Sequence, residues 1–161
     1  MATHTFSAYK PHNHEHCIHS ALEEAKALCQ SRGVRLTPIR EKVLELLWQR
    51  HEPIGAYDIL AQLAKQEDRP AQPPTVYRAL DFLLEQGLVH RLASINAYIG
   101  CPHPGESHKG CFLICEQCRT TIEVDQPDIN NAIQSCADRH RFSIKESAVE
   151  LIGLCPNCKP I

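Results

Sequence analysis

The N-terminal half of the chain repeats apolar residues at helical spacing. Between Ser20 and Arg32 they recur every three or four positions, up to a glycine, and this pattern predicts a first helix. The segment LTPIREKVLELLWQR predicts a second helix, with Thr37 as its cap and Pro38 in its first position. The segment GAYDILAQLAKQ predicts a third helix that buries Tyr57, and TVYRALDFLLEQG predicts a fourth.

A short hairpin follows the four predicted helices. The segment LVHRLASINAYIG is typical of two short strands around a turn at Ser94–Asn96. Helices followed by such a hairpin predict a winged helix-turn-helix, with the fourth helix in the position that reads DNA. The apolar stripe of this helix, from Val76 to Leu84, should face the core, so Thr75, Tyr77 and Arg78 should point away from it.

The C-terminal part of the chain changes from helical to strand periodicity. The polar segment HPGESHKG predicts a linker. Beyond it we predict strands at Cys111–Cys115 and Thr120–Asp125, a helix from about Asp128 to His140 and a last strand from about Phe142 to Leu151. This part should form a small α+β lobe whose outer strands carry two C-x-x-C turns.

The two C-x-x-C turns, Cys115/Cys118 and Cys155/Cys158, are the clearest chemical signal in the sequence. The chain has 9 cysteines, an odd number that fits complete pairing poorly, and reducing compartments oppose disulfides. Each turn places two thiolates within reach of one ion, and two turns supply the four sulfurs of a tetrahedral structural zinc site. A redox dithiol would need only one pair, so a metal clamp explains two turns better.

Charge and hydropathy exclude some classes of protein. The net charge is −2, which gives no global attraction to nucleic acid, although residues 32–50 are locally basic. No apolar run approaches the roughly 18 residues that span a membrane, and the first residues lack the apolar stretch of a secretory signal. We therefore expect a cytoplasmic protein without a membrane segment.

A second set of candidate ligands lies around the predicted linker. Its members are His90, Cys101, His108 and Glu123. Two imidazoles, one thiolate and one carboxylate suit four-coordinate zinc. Spacing alone does not select these four over His103 or Cys111, and each also has an ordinary reading as a surface or buried residue.

The N-terminal segment is rich in histidine. Its candidate ligands are His12, His14, His16, Cys17 and His19. The segment can bind a further zinc ion, but a mobile polar tail is the reading that we favour.

Four stretches of this sequence resemble one known family. RLTPIREKVLELL, PPTVYRALDFLLEQGLVHRL, CFLICEQC and LCPNC together resemble the ferric-uptake-regulator (Fur) superfamily of bacterial metal-sensing repressors, and most closely its zinc-uptake-regulator (Zur) branch. The resemblance covers roughly residues 20–158. It implies an α+β protein with a winged helix-turn-helix domain at residues 20–101 and a hinge at 102–110. A dimerisation and metal-binding domain at 111–161 and a His-rich tail at 1–19 complete this organisation.

The resemblance also implies ligands and partners. Cys115, Cys118, Cys155 and Cys158 match the structural zinc ligands of the family, and His90, Cys101, His108 and Glu123 match the regulatory zinc ligands at its hinge. About two zinc ions per protomer are then expected. The expected function is zinc-dependent repression of zinc-uptake genes by a homodimer on palindromic operator DNA, with no membrane and no small organic substrate as partner.

Several residues are expected to contact DNA. Tyr77 and Arg78 match the DNA-contacting positions of the family's recognition helix, and Thr75 should lie beside them. Arg78 suits bidentate contact with a guanine edge. Arg35, Thr37 and Arg40 are candidates for phosphate contacts, although an arginine near a helix start is often only solvated.

The sequence leaves three alternatives. The H-H-D-H run that the iron-sensing branch carries before its first C-x-x-C is absent, which favours zinc over iron as the sensed metal. The thiolate of Cys101 argues against manganese, whose usual ligands are harder, and nickel stays an alternative. A peroxide sensor would use Cys111 or Cys101. A zinc enzyme is a poor fit, because the segment HEHCIH does not have the H-E-x-x-H spacing of a hydrolytic centre, so we expect no catalytic activity.

Overall fold

The computed structural model describes residues 8–11, 13–66, 68, 71–106 and 110–161. These residues contain five helices and five strands: α1 (His14–Ser31), α2 (Pro38–Trp48), α3 (Ala56–Gln66), α4 (Pro73–Glu85), β1 (Val89–Leu92), β2 (Ala97–Gly100), β3 (Gly110–Cys115), β4 (Thr121–Val124), α5 (Pro127–Arg139) and β5 (Ala148–Gly153). The chain divides into two compact units. One is Lys10–Glu106, and the other contains the described residues from Gly110 to the C-terminus together with Ala8 and Tyr9.

The N-terminal unit packs four helices and the β1–β2 hairpin around one apolar core. The predicted stripe of α4 is confirmed, because Val76, Ala79, Leu80 and Leu83 are all buried. Burial of each valine or leucine side chain contributes about 1.5–3 kcal/mol relative to exposure. Burial of this face leaves the opposite face of α4 at the surface of the unit.

Helix α1 begins at His14, so the predicted start near Ser20 is wrong by six residues. The side-chain oxygen of Asn13 accepts a hydrogen bond from the backbone N–H of Glu15 at 2.9 Å, and the acidic Glu15 lies in the first turn. Both features stabilise a helix N-terminus. Apolar periodicity misses this start, since the first turns of α1 are mostly polar.

Helix α3 presents a different face from the predicted one. Tyr57 is 82% exposed, whereas Ile59 and Leu63 are buried. Residues four apart share a helix face, and a residue two positions before Ile59 points to the opposite side. The prediction that Tyr57 is buried is therefore wrong.

The β1–β2 hairpin is antiparallel, and a bridge to the α2–α3 loop extends it. Asn96, in the turn, has a positive φ of 46°, and its side-chain oxygen accepts a hydrogen bond from Arg91 at 2.9 Å. Ile54 pairs with Tyr98 through two backbone hydrogen bonds of 2.8 and 2.9 Å. The hairpin is therefore tied to the segment that leads into α3.

The C-terminal unit is a three-stranded sheet with one crossover helix. The strand order is β4-β3-β5, in which β3 pairs antiparallel with β4 and parallel with β5. A parallel pair requires a crossover, and α5 supplies it. Strand β3 is therefore central, which corrects the expectation that both C-x-x-C turns follow outer strands. The last strand begins at Ala148 and not near Phe142, whose N–H instead donates to Ala137 at the end of α5.

The α+β class predicted from the sequence is confirmed, with helices and a wing in one unit and a mixed sheet in the other. Within the described ranges, every helix is too short or too polar to cross a bilayer.

Candidate metal centres and nucleic-acid interface

The parallel pairing of β3 with β5 brings the two C-x-x-C turns together. Cys115 is the last residue of β3 and lies opposite Gly153, the last residue of β5. Cys155 follows two residues later. Because parallel strands end at the same edge of a sheet, a turn after each strand reaches the same place.

Each C-x-x-C turn is closed by its own backbone hydrogen bonds. The N–H of Arg119 donates to the carbonyl of Cys115 at 3.0 Å, and the N–H of Cys158 donates to the carbonyl of Cys155 at 3.0 Å. Arg119 has a positive φ of 67°, which lets the chain reverse into β4. Both turns therefore hold their paired thiols on the inner side of a tight loop.

The four thiols have the geometry of a single metal centre. The sulfur atoms of Cys115, Cys118, Cys155 and Cys158 all lie within 4.8 Å of one another. The sulfurs of Cys118 and Cys155 are 3.7 Å apart. Tetrahedral zinc, with Zn–S bonds of about 2.3 Å, requires sulfur separations of about 3.8 Å. The cluster therefore fits a zinc ion without rearrangement of this pair.

Backbone and side-chain donors favour charge on two of the four sulfurs. Burial raises the pKa of Cys115, but backbone N–H groups of Cys118, Cys155 and Gln117 outweigh burial and hold this pKa at about 6. The hydroxyl of Thr120, 3.3 Å from the sulfur of Cys118, lowers the pKa of that thiol. Both thiols are therefore prepared to act as thiolates, the form that binds metal.

Cys158 shows the opposite behaviour within the same cluster. Burial, and then hydrogen bonding with the neighbouring sulfurs, raises its pKa to about 12. Thiolates in contact repel each other, so the metal-free cluster resists full ionisation. A divalent cation among the four sulfurs removes this repulsion, and the cluster therefore has the chemistry of a metal clamp.

Three residues around the cysteine cluster have no signal in the sequence that predicts their place there. Thr120 contacts Cys118, as described above, and Asn157 donates its side-chain N–H to the carbonyl of Tyr9 at 2.7 Å. Burial and the nearby cysteines, Cys155 first, raise the pKa of Tyr9. The contact joins residues at opposite ends of the chain, so no local pattern predicts it.

The N-terminal unit holds two of the four ligands expected at the hinge. His90 lies opposite Ile99, and the N–H of Cys101 donates to Leu88 at 2.9 Å, so both side chains project from the same face of the hairpin. Their ligand atoms are within 4.8 Å of each other. Cys101 is buried and His90 is half-buried.

The other two expected ligands belong to other segments of the sequence. Glu123 belongs to β4 of the C-terminal unit, where it is half-buried and pairs with Phe112. His108 lies outside the described residues. The four-ligand set at the hinge therefore stays a prediction.

The two competing ligands near the linker differ in accessibility. His103 is exposed, in a loop where its carbonyl accepts a hydrogen bond from Glu106 at 3.4 Å. Cys111, on β3, is only 3% exposed, and burial raises its pKa. The thiolate form of Cys111 is thus disfavoured by its surroundings.

The candidate DNA-contacting residues of α4 share its exposed face. Thr75 and Arg78 are exposed, and Tyr77 is 41% exposed. They stand on the first turns of the helix, which begins at Pro73. Exposed residues on the N-terminal turns of a recognition helix are the ones that reach base edges.

The start of α2 carries the candidate phosphate contacts. The guanidinium of Arg40 lies 3.7 Å from the centroid of the Phe82 ring and donates to the carbonyl of Arg35 at 2.6 Å. Arg35 is exposed, and Thr37 is half-buried at the N-cap without a side-chain capping bond. Arg40 therefore stabilises the link between α2 and α4, whereas the Arg35 side chain points to solvent.

These features define a class of protein: a winged-helix unit joined in one chain to a mixed-sheet unit with a cluster of four thiols that suits a metal ion. The sequence profile of the Ferric uptake regulator family matches residues 31–152, and the chain belongs to this family. It is similar to the zinc uptake regulation protein of Escherichia coli strain K12. The two are 38% identical over 138 residues, which cover 85% of this chain and 80% of that protein.

Solved structures and a more distant relative agree with this assignment. A zinc uptake regulator complexed with zinc and DNA superposes with a TM-score of 0.81 at 38% identity, covering 87% of this chain and 93% of that one. Holo XcZur superposes with a TM-score of 0.77 at 37% identity, covering 86% and 96%. The peroxide-responsive repressor PerR of Staphylococcus aureus is 27% identical over 88% of this chain and 94% of that protein.

Proposed function

We propose that this protein is a zinc-responsive transcriptional repressor, which binds palindromic operator DNA as a zinc-loaded homodimer and represses zinc-uptake genes in the cytoplasm. The observation that carries the proposal is the 38% identity to the zinc uptake regulation protein of E. coli over most of both chains. The similar proteins are named as a regulation protein and a repressor, which favours a regulatory function over an enzymatic one. A centre of four thiolates also leaves no open coordination position for an enzymatic reaction.

The first of two proposed zinc ions per protomer is structural and is held by Cys115, Cys118, Cys155 and Cys158. The 3.7 Å separation of two of the sulfurs, and the convergence of all four, support this assignment. Four thiolates complete the coordination of zinc, so this ion supplies folding free energy and no chemistry.

The second zinc ion is proposed to be regulatory, with His90, Cys101, His108 and Glu123 as ligands. His90 and Cys101 lie close together on one face of the hairpin, which supports the assignment of these two ligands. His108 follows Cys101 by seven residues in the sequence, and Glu123 belongs to the C-terminal unit. One ion bound by all four residues would couple the N-terminal unit, which is proposed to read DNA, to the C-terminal unit, which is proposed to form the dimer.

Such coupling explains a zinc-dependent switch. Zinc can shift the protein toward its DNA-competent state only by its higher affinity for that state. Linkage then requires operator DNA to tighten zinc binding by the same factor. His103 could replace a ligand, because it follows Cys101 by two residues and is exposed.

The DNA interface is proposed to centre on α4 and the start of α2. Thr75, Tyr77 and Arg78 on the exposed face of α4 would read the major groove, and Arg35 and Thr37 would contact phosphates. Arg40 would act mainly by holding α2 against α4 through its Phe82 contact. Phosphate contacts make the affinity fall as salt concentration rises.

Replacement of Arg78 by alanine is expected to weaken operator binding about 30-fold or more, because the homodimer loses one bidentate base contact of about 1–3 kcal/mol in each half-site. Binding is measured by fluorescence anisotropy at saturating zinc and constant salt. Arg139→Ala, which removes an exposed arginine of α5, is the matched control and should bind like the unmodified protein. Equal affinities for both variants would exclude Arg78 from the interface.

The free edge of the C-terminal sheet supports the homodimer. Strand β5 is at the edge of the sheet, and its Leu151 and Ile152 are 49% and 56% exposed. Leu154, just beyond it, is 42% exposed. Exposed apolar edge strands pair with other chains, and a second copy of the same edge is self-complementary.

Replacement of Ile152 by aspartate is expected to dissociate the dimer. A two-fold interface contains each residue twice, and burial of each isoleucine contributes about 1.5–3 kcal/mol, so the dimer should weaken roughly a hundredfold or more. Sedimentation velocity at several protein concentrations measures the change. Ala132→Asp, at an exposed position of α5, is the control. A dimer of unchanged stability in Ile152→Asp would mean that β5 is not the interface.

The alternative of peroxide sensing is less well supported. Thiol oxidation proceeds through an accessible thiolate, but Cys111 and Cys101 are 3% and 2% exposed. Iron, nickel or manganese sensing remains a testable alternative for the second site. An operator-binding titration at buffered free zinc, with metal content measured per protomer, tests the proposal. Zinc-dependent affinity with about two bound ions supports it, and zinc-independent binding contradicts it.

A further inference from the structure

The histidines of helix α1 lie on two different sides of the helix. His14 and Cys17, three residues apart, share a face and are both half-buried, whereas His16 and His19 are exposed. The half-buried pair therefore points toward the rest of the N-terminal unit. A uniformly solvated tail would show no such division.

A third residue meets this face from another element. His51 lies in the loop between α2 and α3, and its ring centroid is 5.3 Å from that of His14. The two rings are tilted by 49° and not stacked in parallel. Two imidazoles on one tetrahedral zinc ion have centroids roughly 5 Å apart, because Zn–N bonds are about 2.0–2.1 Å long.

We propose that His14, His51 and Cys17 form a third, weaker site for zinc-class divalent cations within the N-terminal unit. Two imidazoles and a thiolate are borderline-to-soft donors that favour zinc, nickel or copper over magnesium or manganese. Solvent completes the coordination. The ion fastens the first turn of α1 to the loop that leads into α3.

The site requires rearrangement of its side chains. The three donor atoms are not all within 4.8 Å of one another in the described structure, so these side chains have to change rotamer before all three reach one ion. This reorganisation and the solvent position make the site weaker than the preformed four-cysteine cluster.

The test is a zinc titration of the full-length chain against a chromophoric competitor, with His14→Gln, His51→Gln and Cys17→Ser as variants. Each variant is expected to lose the weakest equivalent of zinc or to bind it about tenfold or more less tightly. His16→Gln and His19→Gln are matched controls on the exposed side of the same helix and should titrate like the unmodified protein. Far-UV circular dichroism of the metal-stripped N-terminal variants checks that all remain equally helical.

Cobalt provides a second, independent measurement. Cobalt bound at this site should show thiolate-to-metal charge-transfer absorption that Cys17→Ser removes and Cys136→Ser, at an exposed position of α5, retains. The proposal is overturned if His14→Gln and His51→Gln keep the full zinc stoichiometry, or if the control variants lose the same equivalent. The differences in zinc titration between these variants do not depend on how many ions bind elsewhere in the protein. A failure of this proposal can therefore be distinguished from a failure of the proposed zinc-dependent repression.

Discussion

Replacement of Cys115 by serine is expected to remove one zinc ion per protomer and to unfold the C-terminal unit. The sulfur of Cys115 is buried and accepts a hydrogen bond from the N–H of Cys155 at 3.4 Å, so its loss opens the centre of the cluster. Structural zinc contributes about 10–16 kcal/mol of apparent binding free energy. This exceeds or equals the total stability of most domains, about 5–15 kcal/mol.

Thermal unfolding followed by circular dichroism, together with zinc analysis after gel filtration, measures both effects of Cys115→Ser. The matched control is Cys136→Ser, because Cys136 is exposed on α5 and lies outside the cluster. The control should retain its zinc and its unfolding temperature. An unchanged unfolding curve and zinc content for Cys115→Ser would show that the four thiols do not hold a structural ion.

Replacement of Cys101 by serine is expected to abolish the zinc dependence of operator binding and to leave a folded dimer. The variant lacks the only proposed thiolate of the regulatory site. Its zinc affinity at this site should fall, because a hydroxyl is a poor zinc ligand. Typical coupling free energies of 1–3 kcal/mol correspond to about 5- to 150-fold in affinity. The operator affinity at saturating zinc should fall by a factor in this range, to the level of metal-free protein.

The control for Cys101→Ser is Cys29→Ser. Both cysteines are 2% exposed in the N-terminal unit, so the two substitutions place the same hydroxyl in comparable burial. Only Cys101 lies beside His90 in a candidate ligand group. Zinc-dependent binding that persists in Cys101→Ser, or that is lost equally in both variants, would reject the regulatory assignment.

The sequence predicts the elements whose signal is local. The apolar stripe of α4 and the two C-x-x-C turns depend on residues a few positions apart, and both predictions match the structure. The start of α1 depends on capping by Asn13, so apolar periodicity does not predict it. Apolar spacing in α3 also fits a face with Tyr57, Leu60 and Leu63, and only packing in the folded unit selects the face with Ile59 and Leu63 that leaves Tyr57 exposed.

The candidate sites show the same division between local and long-range information. Each cysteine pair is visible as a motif, but the reason why the pairs meet is the parallel alignment of β3 with β5, which no short window of sequence contains. The contacts of His14 with His51 and of Asn157 with Tyr9 also join distant segments. The regulatory ligand set came from family resemblance, because residue spacing leaves several histidines and cysteines as equal candidates.

The parallel pairing of β3 with β5 also has a consequence for folding kinetics. Two strands separated by a helix meet only after a long loop has closed, and the entropy of that closure slows the search for native contacts. On the proposed zinc assignment, an ion captured early by the two C-x-x-C turns closes this loop before the sheet has formed. Cellular zinc would then govern how quickly new chains mature, in addition to whether mature chains bind their operator.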